Sequence, residues 1–349
     1  MMSDNAPRSA SDDSSGIHCP LIVVMPVYED RPSATQLMQM LAKHCDTKPY
    51  VIAVEDGSVR DPLTVAAITD AGLSGEVLHL ARNMGHQRAI AVGLAYVAAH
   101  FEAEAVVVMD SDGEDRPESI GPLVQALAAS AVDVVVAQRR KRSETLGFRT
   151  FYMIYRTVFK LLTGRTIRFG NFTALSARAV RRLAAMQELW VHFAASLMVS
   201  RLRIGAVATD RGKRYAGRSQ MNFVSLSLHG LRSIMVFAED CLVRVGLFCI
   251  ALGGLTILLL MAAIVLKLIG IATPGWFSTA SGILVVILMQ SGILMFSTLM
   301  VSGVVRSAPP ISRAQIDQLI ERIEKGTSRV QASPVAANAA PVEIAAVQA

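Results

Sequence analysis

The stretch Ala105-Val-Val-Val-Met-Asp-Ser-Asp-Gly-Glu-Asp-Arg-Pro-Glu118 decides how the rest of the chain reads. It opens with an apolar run of strand length and closes in a burst of carboxylates. Such a run fits a strand buried on both faces of a parallel sheet. Asp110 and Asp112 are two apart, so an extended backbone aims both side chains the same way. Two carboxylates aimed together repel each other unless a cation lies between them. Mg²⁺ suits such a place, because it takes one or two carboxylates and completes its shell with water and phosphate oxygens. Glu114 and Asp115 are near enough to add a ligand or to hold one. An EF-hand calcium loop is excluded: counting from Asp110, the glycine position holds Asp115 and the closing glutamate position holds Gly121. The plain alternative is a solvated acidic turn, and the rest of the chain decides between the two.

Working outward, Leu21–Met25, Tyr50–Val54, Val77–Leu80 and Val132–Ala137 also read as strands. Helices are expected from a Ser33 cap to about His44, over Pro62–Ala71, from the polar turn Arg82–Gln87 to near His100, and over Pro117–Ala129. Strands alternating with helices predict an α/β fold with a mostly parallel sheet. Ligands of such sheets bind beyond the carboxyl ends of the strands. Here those ends carry Tyr28 and Glu29, then Asp56, Asn83, Asp110 with Asp112, and Arg139. Five ordinary turns have no need of functional-type residues on one edge, so a site is expected there. A dinucleotide fold would need a glycine-rich turn after the first strand, where this chain has Pro26-Val-Tyr-Glu29. There is no P-loop either.

The chain has 349 residues, room for one or two domains, and its 52% hydrophobic content lies in excess beyond Leu242. A net charge of +6, with basic runs at Arg139–Arg142 and Arg211–Arg218, points to phosphates or lipid headgroups. No nucleic-acid-binding signature is present. Cys19, Cys45, Cys241 and Cys249 lack metal-type spacing and read as free thiols of a reducing compartment. Residues 1–16 are polar and read as disordered, with no signal peptide. Phe148–Leu162 reads as a mixed helix with Arg149 and Arg156. Asn171-Phe-Thr173 matches a glycosylation sequon, which a cytoplasmic location makes accidental.

Asn222–Asp240 carries Phe223, Leu226, Leu231, Ile234 and Ala238 at helical spacing, as a helix lying on a membrane interface does. Val245–Leu266 follows, and its 22 residues make about 33 Å of helix, enough to cross a bilayer. Gly282–Val305 is a second run of this kind. The connecting Leu268–Ala280 holds no Lys or Arg, while Arg244, Lys267 and Arg306 flank the spans. That pattern predicts both termini and the N-terminal domain on the cytoplasmic side. Ile316, Leu319, Ile320 and Ile323 form a short amphipathic stripe, and the Ala/Val/Pro-rich tail from Ser328 reads as disordered. The expected division is therefore 17–221 for the α/β domain, 222–241 for the interfacial helix, 242–306 for the hairpin and 307–349 for a cytoplasmic tail.

With these pieces in place, Leu21–Arg306 resembles the family 2 glycosyltransferases of the GT-A fold. Among them it is similar to the polyprenyl-phosphate glycosyltransferases, relatives of dolichol-phosphate mannose synthase and of bacterial undecaprenyl-phosphate glucosyltransferases. The resemblance is carried by Pro26-Val-Tyr-Glu29, Glu55-Asp-Gly-Ser58, Asn83-Met-Gly85 and Asp110-Ser-Asp112, with Pro117-Glu118, Arg139 and Arg214-Tyr-Ala-Gly-Arg-Ser219. It implies that Pro26, Tyr28, Glu29, Asp56 and Asn83 line the donor pocket. Asp110 and Asp112 would hold Mg²⁺ or Mn²⁺ on the diphosphate, with Glu114 where the family often has Gln. Arg139, Arg214 and Ser219 would meet phosphates of donor or acceptor, making Asp112, Arg139 and Arg214 the catalytic set. It further implies a nucleotide-sugar donor, a polyprenyl (undecaprenyl) phosphate acceptor, the bacterial inner membrane and a homo-oligomer, a tetramer. Asn171-Phe-Thr-Ala174 stands where the family usually carries Asp-Phe-Arg-Leu, a departure at the acceptor side.

The chemistry fits these residues. A lipid phosphate is already ionised near neutral pH and attacks the anomeric carbon without a general base. The barrier then lies in positioning and in the charge of the leaving diphosphate, which a metal and arginines stabilise. An acceptor hydroxyl would want a base, for which Asp115 is placed. A processive polysaccharide synthase of the same fold is a weaker reading, since Gln187-Glu-Leu-Trp190 lacks the Gln-x-x-Arg-Trp arrangement. A catalytically inactive membrane scaffold is weaker still, because the metal-type carboxylates are intact.

Overall fold

The strand ends meet where the order of the strands reverses. A computed structural model of the chain describes residues 17–139, 146–166, 169–216, 230–271, 273, 275–307, 312–328 and 345–346. β1 (Ile17–Val27), β2 (Tyr50–Glu55), β3 (Ser74–Leu80) and β4 (Phe101–Val108) are parallel. α1 (Arg31–His44), α2 (Ala66–Asp70) and α3 (His86–His100) connect them. From β1 the chain steps to β2 and β3 on one side, then crosses to place β4 on the other side of β1. A crevice opens beyond the carboxyl ends at such a switch. It brings the loops after β1 and β4 together.

The sheet continues through α4 (Ile120–Ala129), β5 (Val134–Arg139), α5 (Leu146–Thr163), β6 (Thr173–Ser176), α6 (Ala177–Ala184), α7 (Phe193–Val199) and β7 (Ile204–Thr209). β6 is wedged antiparallel between β4 and β5, and β7 runs parallel to β5. Alternate side chains of the central strands feed two apolar layers. Val24, Val54 and Val106 pack toward α3 and α6, and Val23, Met25 and Val107 toward Leu37, Met38 and Leu41 of α1. α3 lies hard against the sheet at Gly93. A methyl group there would stand 2.6 Å from Val24 Cγ1 and 2.9 Å from Val54 Cγ2.

Two long helices follow, α8 (Ala238–Leu268) and α9 (Trp276–Ser307). Both are long and apolar enough to cross a membrane, the second over Trp276–Val301. They pack through small residues. Cys249, Gly253, Thr256 and Ala263 of α8 are buried, as are Ser291 and Thr298 of α9. Thr256 and Ser291 return their hydroxyls to the carbonyls of Leu252 and Leu288 at 2.7 and 2.9 Å, which satisfies both. Leu247, Phe248, Leu258, Met289 and Phe296 point outward and are exposed. The root of α8 is tied to α5. Phe237 is buried with Phe159 and Met198, Arg165 lies 5.5 Å over the Phe237 ring, and Tyr155 Oη meets Ser233 Oγ at 2.6 Å.

The structure differs from the sequence reading in four places. Ser33 does not cap α1; Asp30 occupies the N-cap position, and Ser33 is buried one turn in with its Oγ unpartnered. The helix expected over Pro62–Ala71 shortens to Ala66–Asp70, and the preceding residues loop around the Glu55 carboxylate, which accepts from Ser58 and Leu63 N–H. The helix of the first candidate span begins at Ala238, ahead of the apolar run Val245–Leu266, because helical hydrogen bonding runs on past the apolar core that hydropathy detects. Of the expected interfacial helix, 222–229 lies outside the described residues and 230–235 is helical.

The fourth difference is the largest. The stripe at Ile316–Ile323 belongs to a short helix, α10 (Arg313–Asp317), and then to an edge strand, β8 (Ile320–Gly326), antiparallel to β3. Part of the expected tail thus completes the α/β sheet. Long-range polar contacts decide it: Lys325 Nζ pairs with the buried Glu76 at 3.2 Å, and Glu324 lies 3.2 Å from His79 Nε2. Glu76 also accepts from Tyr50 at 3.1 Å and Tyr96 at 2.6 Å. β9 (Ala345–Ala346) pairs with β7 at the opposite edge.

Candidate active site

The acidic turn does not continue β4, which ends at Val108. Residues 111–115 form a turn, and Gly113 takes φ +85° within it. The orientation of Asp112 therefore comes from the turn, not from strand alternation. Its Oδ1 accepts the Glu114 N–H at 3.0 Å and its Oδ2 accepts from Arg214 Nη1 at 3.2 Å. Burial pushes the Asp112 carboxyl above its usual range, and the charges of Asp110 and Glu114 add to the rise while Arg214 opposes it. Asp110 has different partners. Its Oδ1 lies 3.2 Å from His86 Nε2 and 3.4 Å from Asn171 Nδ2, and its N–H donates to Asp115 Oδ2 at 3.0 Å.

The loop 211–216 lies directly on this turn. Gly212 N–H donates to Glu114 O at 2.8 Å and Tyr215 N–H to Asp112 O at 2.9 Å. The Tyr215 ring covers Gly113 so closely that a methyl group there would stand 2.4 Å from it. Arg211 pairs with the Glu114 carboxylate. Arg214 bridges Asp112 and Asp30, the latter at 2.6 Å, and donates through Nε to Ala216 O at 3.0 Å. The loop expected to meet phosphate is thus fastened to the acidic turn by backbone and side chain alike.

The other expected residues fall into two groups. Asp56 and Glu29 build the walls. Both Asp56 oxygens accept backbone N–H groups, from Met84 at 2.7 Å and Gly85 at 2.9 Å. Burial nevertheless holds the Asp56 carboxyl above its usual range. Glu29 Oε1 takes the N–H groups of Val59 at 2.9 Å and Arg60 at 3.2 Å, and the Val59 bond leads in holding that carboxyl low. Tyr28 and Asn83 are exposed at the rim, and Pro26 is buried in β1. Arg139 closes β5 opposite Thr209; its side chain, and the whole of Ser219, lie outside the described residues.

Residues 22–190 match the family model described as glycosyl transferase family 2. The chain carries a glycosyl transferase family 2 domain. Its relatives extend beyond that segment. The uncharacterized glycosyltransferase YkcC of Bacillus subtilis (strain 168) is 26% identical over 80% of this chain and 86% of its own. An undecaprenyl-phosphate 4-deoxy-4-formamido-L-arabinose transferase of Proteus mirabilis (strain HI4320) is 27% identical over 71% of this chain and 76% of its own. A crystal structure of glucosyl-3-phosphoglycerate synthase from Mycobacterium tuberculosis, in complex with Mn²⁺, UDP-glucose and phosphoglyceric acid, overlays with a TM-score of 0.48. Its identity is 19%, over 64% of this chain and 80% of that one; an overlay that loose carries no weight. The matched segment and these relatives support a glycosyltransferase, as the sequence led us to expect.

Within the family 2 domain, the sequence reading assigned no role in the crevice to three residues that the structure brings there. His86 and Asn171 face Asp110, and Asn171 Nδ2 lies 2.9 Å from His86 Nε2. Gln87, buried, sets the amide's direction. Its Oε1 accepts the Phe193 N–H at 2.7 Å, so its Nε2 is left to donate to Asn171 Oδ1 at 3.3 Å. The third is Asp30. Asn171 could have been suspected from its departure from the family pattern. His86 and Asp30 sat in plain view beside strand ends, with nothing in the spacing to mark them.

The donor set fits a divalent cation in part. Among the described residues no group of three or more His, Cys, Asp or Glu is arranged to hold a metal. Glu114, expected as a third ligand, faces Arg211 instead. Asp110 and Asp112 remain, two hard oxygen donors. Mg²⁺ asks no more than this of a protein when phosphates supply the rest.

Proposed function

We propose that the protein is a membrane-bound inverting glycosyltransferase that moves a sugar from a nucleotide-sugar donor to a polyprenyl phosphate on the cytoplasmic face. One observation supports this most: the arginine of the 211–216 loop is docked on Asp112 at the strand switch, and the chain runs from that loop into α8. An acceptor whose tail stays in the bilayer has its headgroup near the membrane surface, and this loop is the basic element nearest in sequence to the span. Relatives named as undecaprenyl-phosphate transferases agree with that acceptor class.

Asp110 and Asp112 would hold Mg²⁺ or Mn²⁺, which when bound neutralises charge developing on the leaving diphosphate. The chain's own residues do the rest. Tyr28 and Asn83 border the donor pocket, whose walls Asp56 and Glu29 fix through backbone hydrogen bonds. Arg214 offers a charged Nη1 arm that can turn from Asp112 to a phosphate oxygen. The acceptor is already an anion, so no residue need take a proton from it. Attack from the face opposite the leaving group inverts the anomeric centre.

In this reading both termini face the cytoplasm and the turn between α8 and α9 faces outward. A tag at either terminus should be accessible only from the cytoplasmic side, and one beside Gly275 only from outside. An externally accessible C-terminus would refute the orientation. It would also conflict with β8, which puts the chain beyond α9 on the α/β sheet. The activity is tested by offering the purified full-length protein a panel of labelled nucleotide sugars with undecaprenyl phosphate. Label should enter the lipid phase with one donor. Hydrolysis of donors with no labelled lipid would overturn the assignment.

A further inference from the structure

Arg214 has two carboxylate partners, and only one belongs to the acidic turn. Nη1 donates to Asp112 Oδ2 at 3.2 Å and Nη2 to Asp30 Oδ2 at 2.6 Å, the shorter contact. Asp30 lies in the loop between β1 and α1, on the facing side of the strand switch. It occupies the N-cap of α1, where an aspartate side chain ordinarily accepts a helix N–H. Here it makes no capping bond. The carboxylate has given up its local role and faces a guanidinium 184 residues away. Nε is fixed on Ala216 O at 3.0 Å, so the plane of the guanidinium is held from both ends.

We infer that Asp30 is a positioning residue for Arg214. This rests on the reading of Arg214 as the group that meets the acceptor phosphate. The two arms differ in what becomes of them. Asp112 faces the place a cation would take, and a cation there competes with Nη1 for its oxygen. Asp30 lies on the facing loop and is not one of the two carboxylates that would hold the cation. It keeps Nη2 while Nη1 turns to phosphate, so the fork swings about a fixed edge instead of leaving the site.

Charge alone makes the opposite prediction. Asp30 is negative, and removing its charge should help an anion bind. Positioning says that the same change harms it, because a loose arginine must be ordered anew at each encounter. Asp30→Asn separates the two, since asparagine serves as well as aspartate at an N-cap. Asp30→Ser, also a good cap, is the second variant should the first melt early.

The experiment compares the full-length wild type, Asp30→Asn, Asp30→Ser, Arg214→Ala and the double variant Asp30→Asn/Arg214→Ala. Steady-state rates are taken with varied undecaprenyl phosphate, and nucleoside diphosphate binding is measured by calorimetry. We expect Asp30→Asn to lose roughly tenfold in kcat/KM for the lipid, the scale of one charge-assisted hydrogen bond. Diphosphate binding should change by less than about twofold. The double variant should be no worse than Arg214→Ala alone, since the two residues act as one unit. Unchanged or improved lipid kinetics in Asp30→Asn, or additive losses in the double variant, would overturn the inference.

A second readout does not depend on turnover. The rate at which phenylglyoxal modifies the Arg214 peptide, followed by mass spectrometry, should rise severalfold in Asp30→Asn. A rate equal to wild type would overturn the pairing itself. A wild-type protein that moves no sugar to the lipid would instead defeat the acceptor assignment. The modification rate would still decide whether Asp30 holds Arg214.

Discussion

Asp112→Asn is expected to abolish transfer while leaving the protein folded and in the membrane. The amide keeps an oxygen for the Glu114 N–H, which Asp112 Oδ1 accepts at 3.0 Å, so the turn has no reason to open. Arg214 keeps Asp30. What goes is one negative charge at the junction of the acidic turn and the basic loop. Removing a preorganised electrostatic partner of a transition state typically costs about 10²–10³ in rate. Rates on isolated membranes, with a melting curve and a flotation assay as controls, check this. Wild-type rates with unchanged metal dependence would show that Asp112 holds no metal.

Gly113→Ala is the second large effect, and it acts through the backbone. Gly113 sits at φ +85°, a left-handed region that costs an L-residue about 1–2 kcal/mol. Its new methyl would stand 2.4 Å from the Tyr215 ring, well inside contact distance. Turning the ring does not relieve this readily, because it packs against the apolar layer on the α1 side of the sheet and its Cγ, close to the backbone, would itself stand 2.7 Å from the methyl. The 211–216 loop must therefore lift, taking Arg214 with it. A misplacement of about 1 Å in a positioning group costs roughly a hundredfold in rate, and that is the expected loss. Stability should fall much less, by a few degrees in Tm. Gly121→Ala is the control: it lies in α4 with nothing within 4 Å of the added carbon, so both activity and Tm should hold.

How much of this was legible in the chain follows from what each element needed. β1, β2 and the second half of β4 announce themselves because strands buried on both faces are continuous apolar runs, and Val-Val-Val at 106–108 has no amphipathic alternative. The spans do so for the same reason at larger scale. β6, with four residues, and the short α7 carry no period long enough to read. β8 was misread for a physical reason. Ile-Glu-Arg-Ile-Glu-Lys is an edge strand with little buried, and its stripe satisfies a helical period equally well. Only its partners on β3, some 250 residues away, settle the matter, and spacing along the chain cannot report them.

The candidate site divides in the same way. The carboxylates of the 110–115 turn and the basic run at 211–218 were each visible as local excesses of charge. Their pairing was not, since Arg214 and Asp112 are 102 residues apart. Glu29 and Asp56 stood out in the sequence as charged residues at strand ends, expected to line the donor pocket. Their carboxylates turn out to hold backbone N–H groups of neighbouring loops. A charged residue at a strand end signals a shaped site, but whether it faces the ligand or the wall depends on contacts that lie outside its own stretch.

Everything proposed for the site depends on which bond of the donor breaks. The measurement is the identity of the nucleotide released as sugar enters the lipid, together with mass and anomeric analysis of that lipid. An attack of the acceptor phosphate on the anomeric carbon predicts a nucleoside diphosphate and a lipid bearing one phosphate, with the sugar inverted. Release of a nucleoside monophosphate, with a lipid bearing two phosphates, would place the attack on phosphorus and contradict the account.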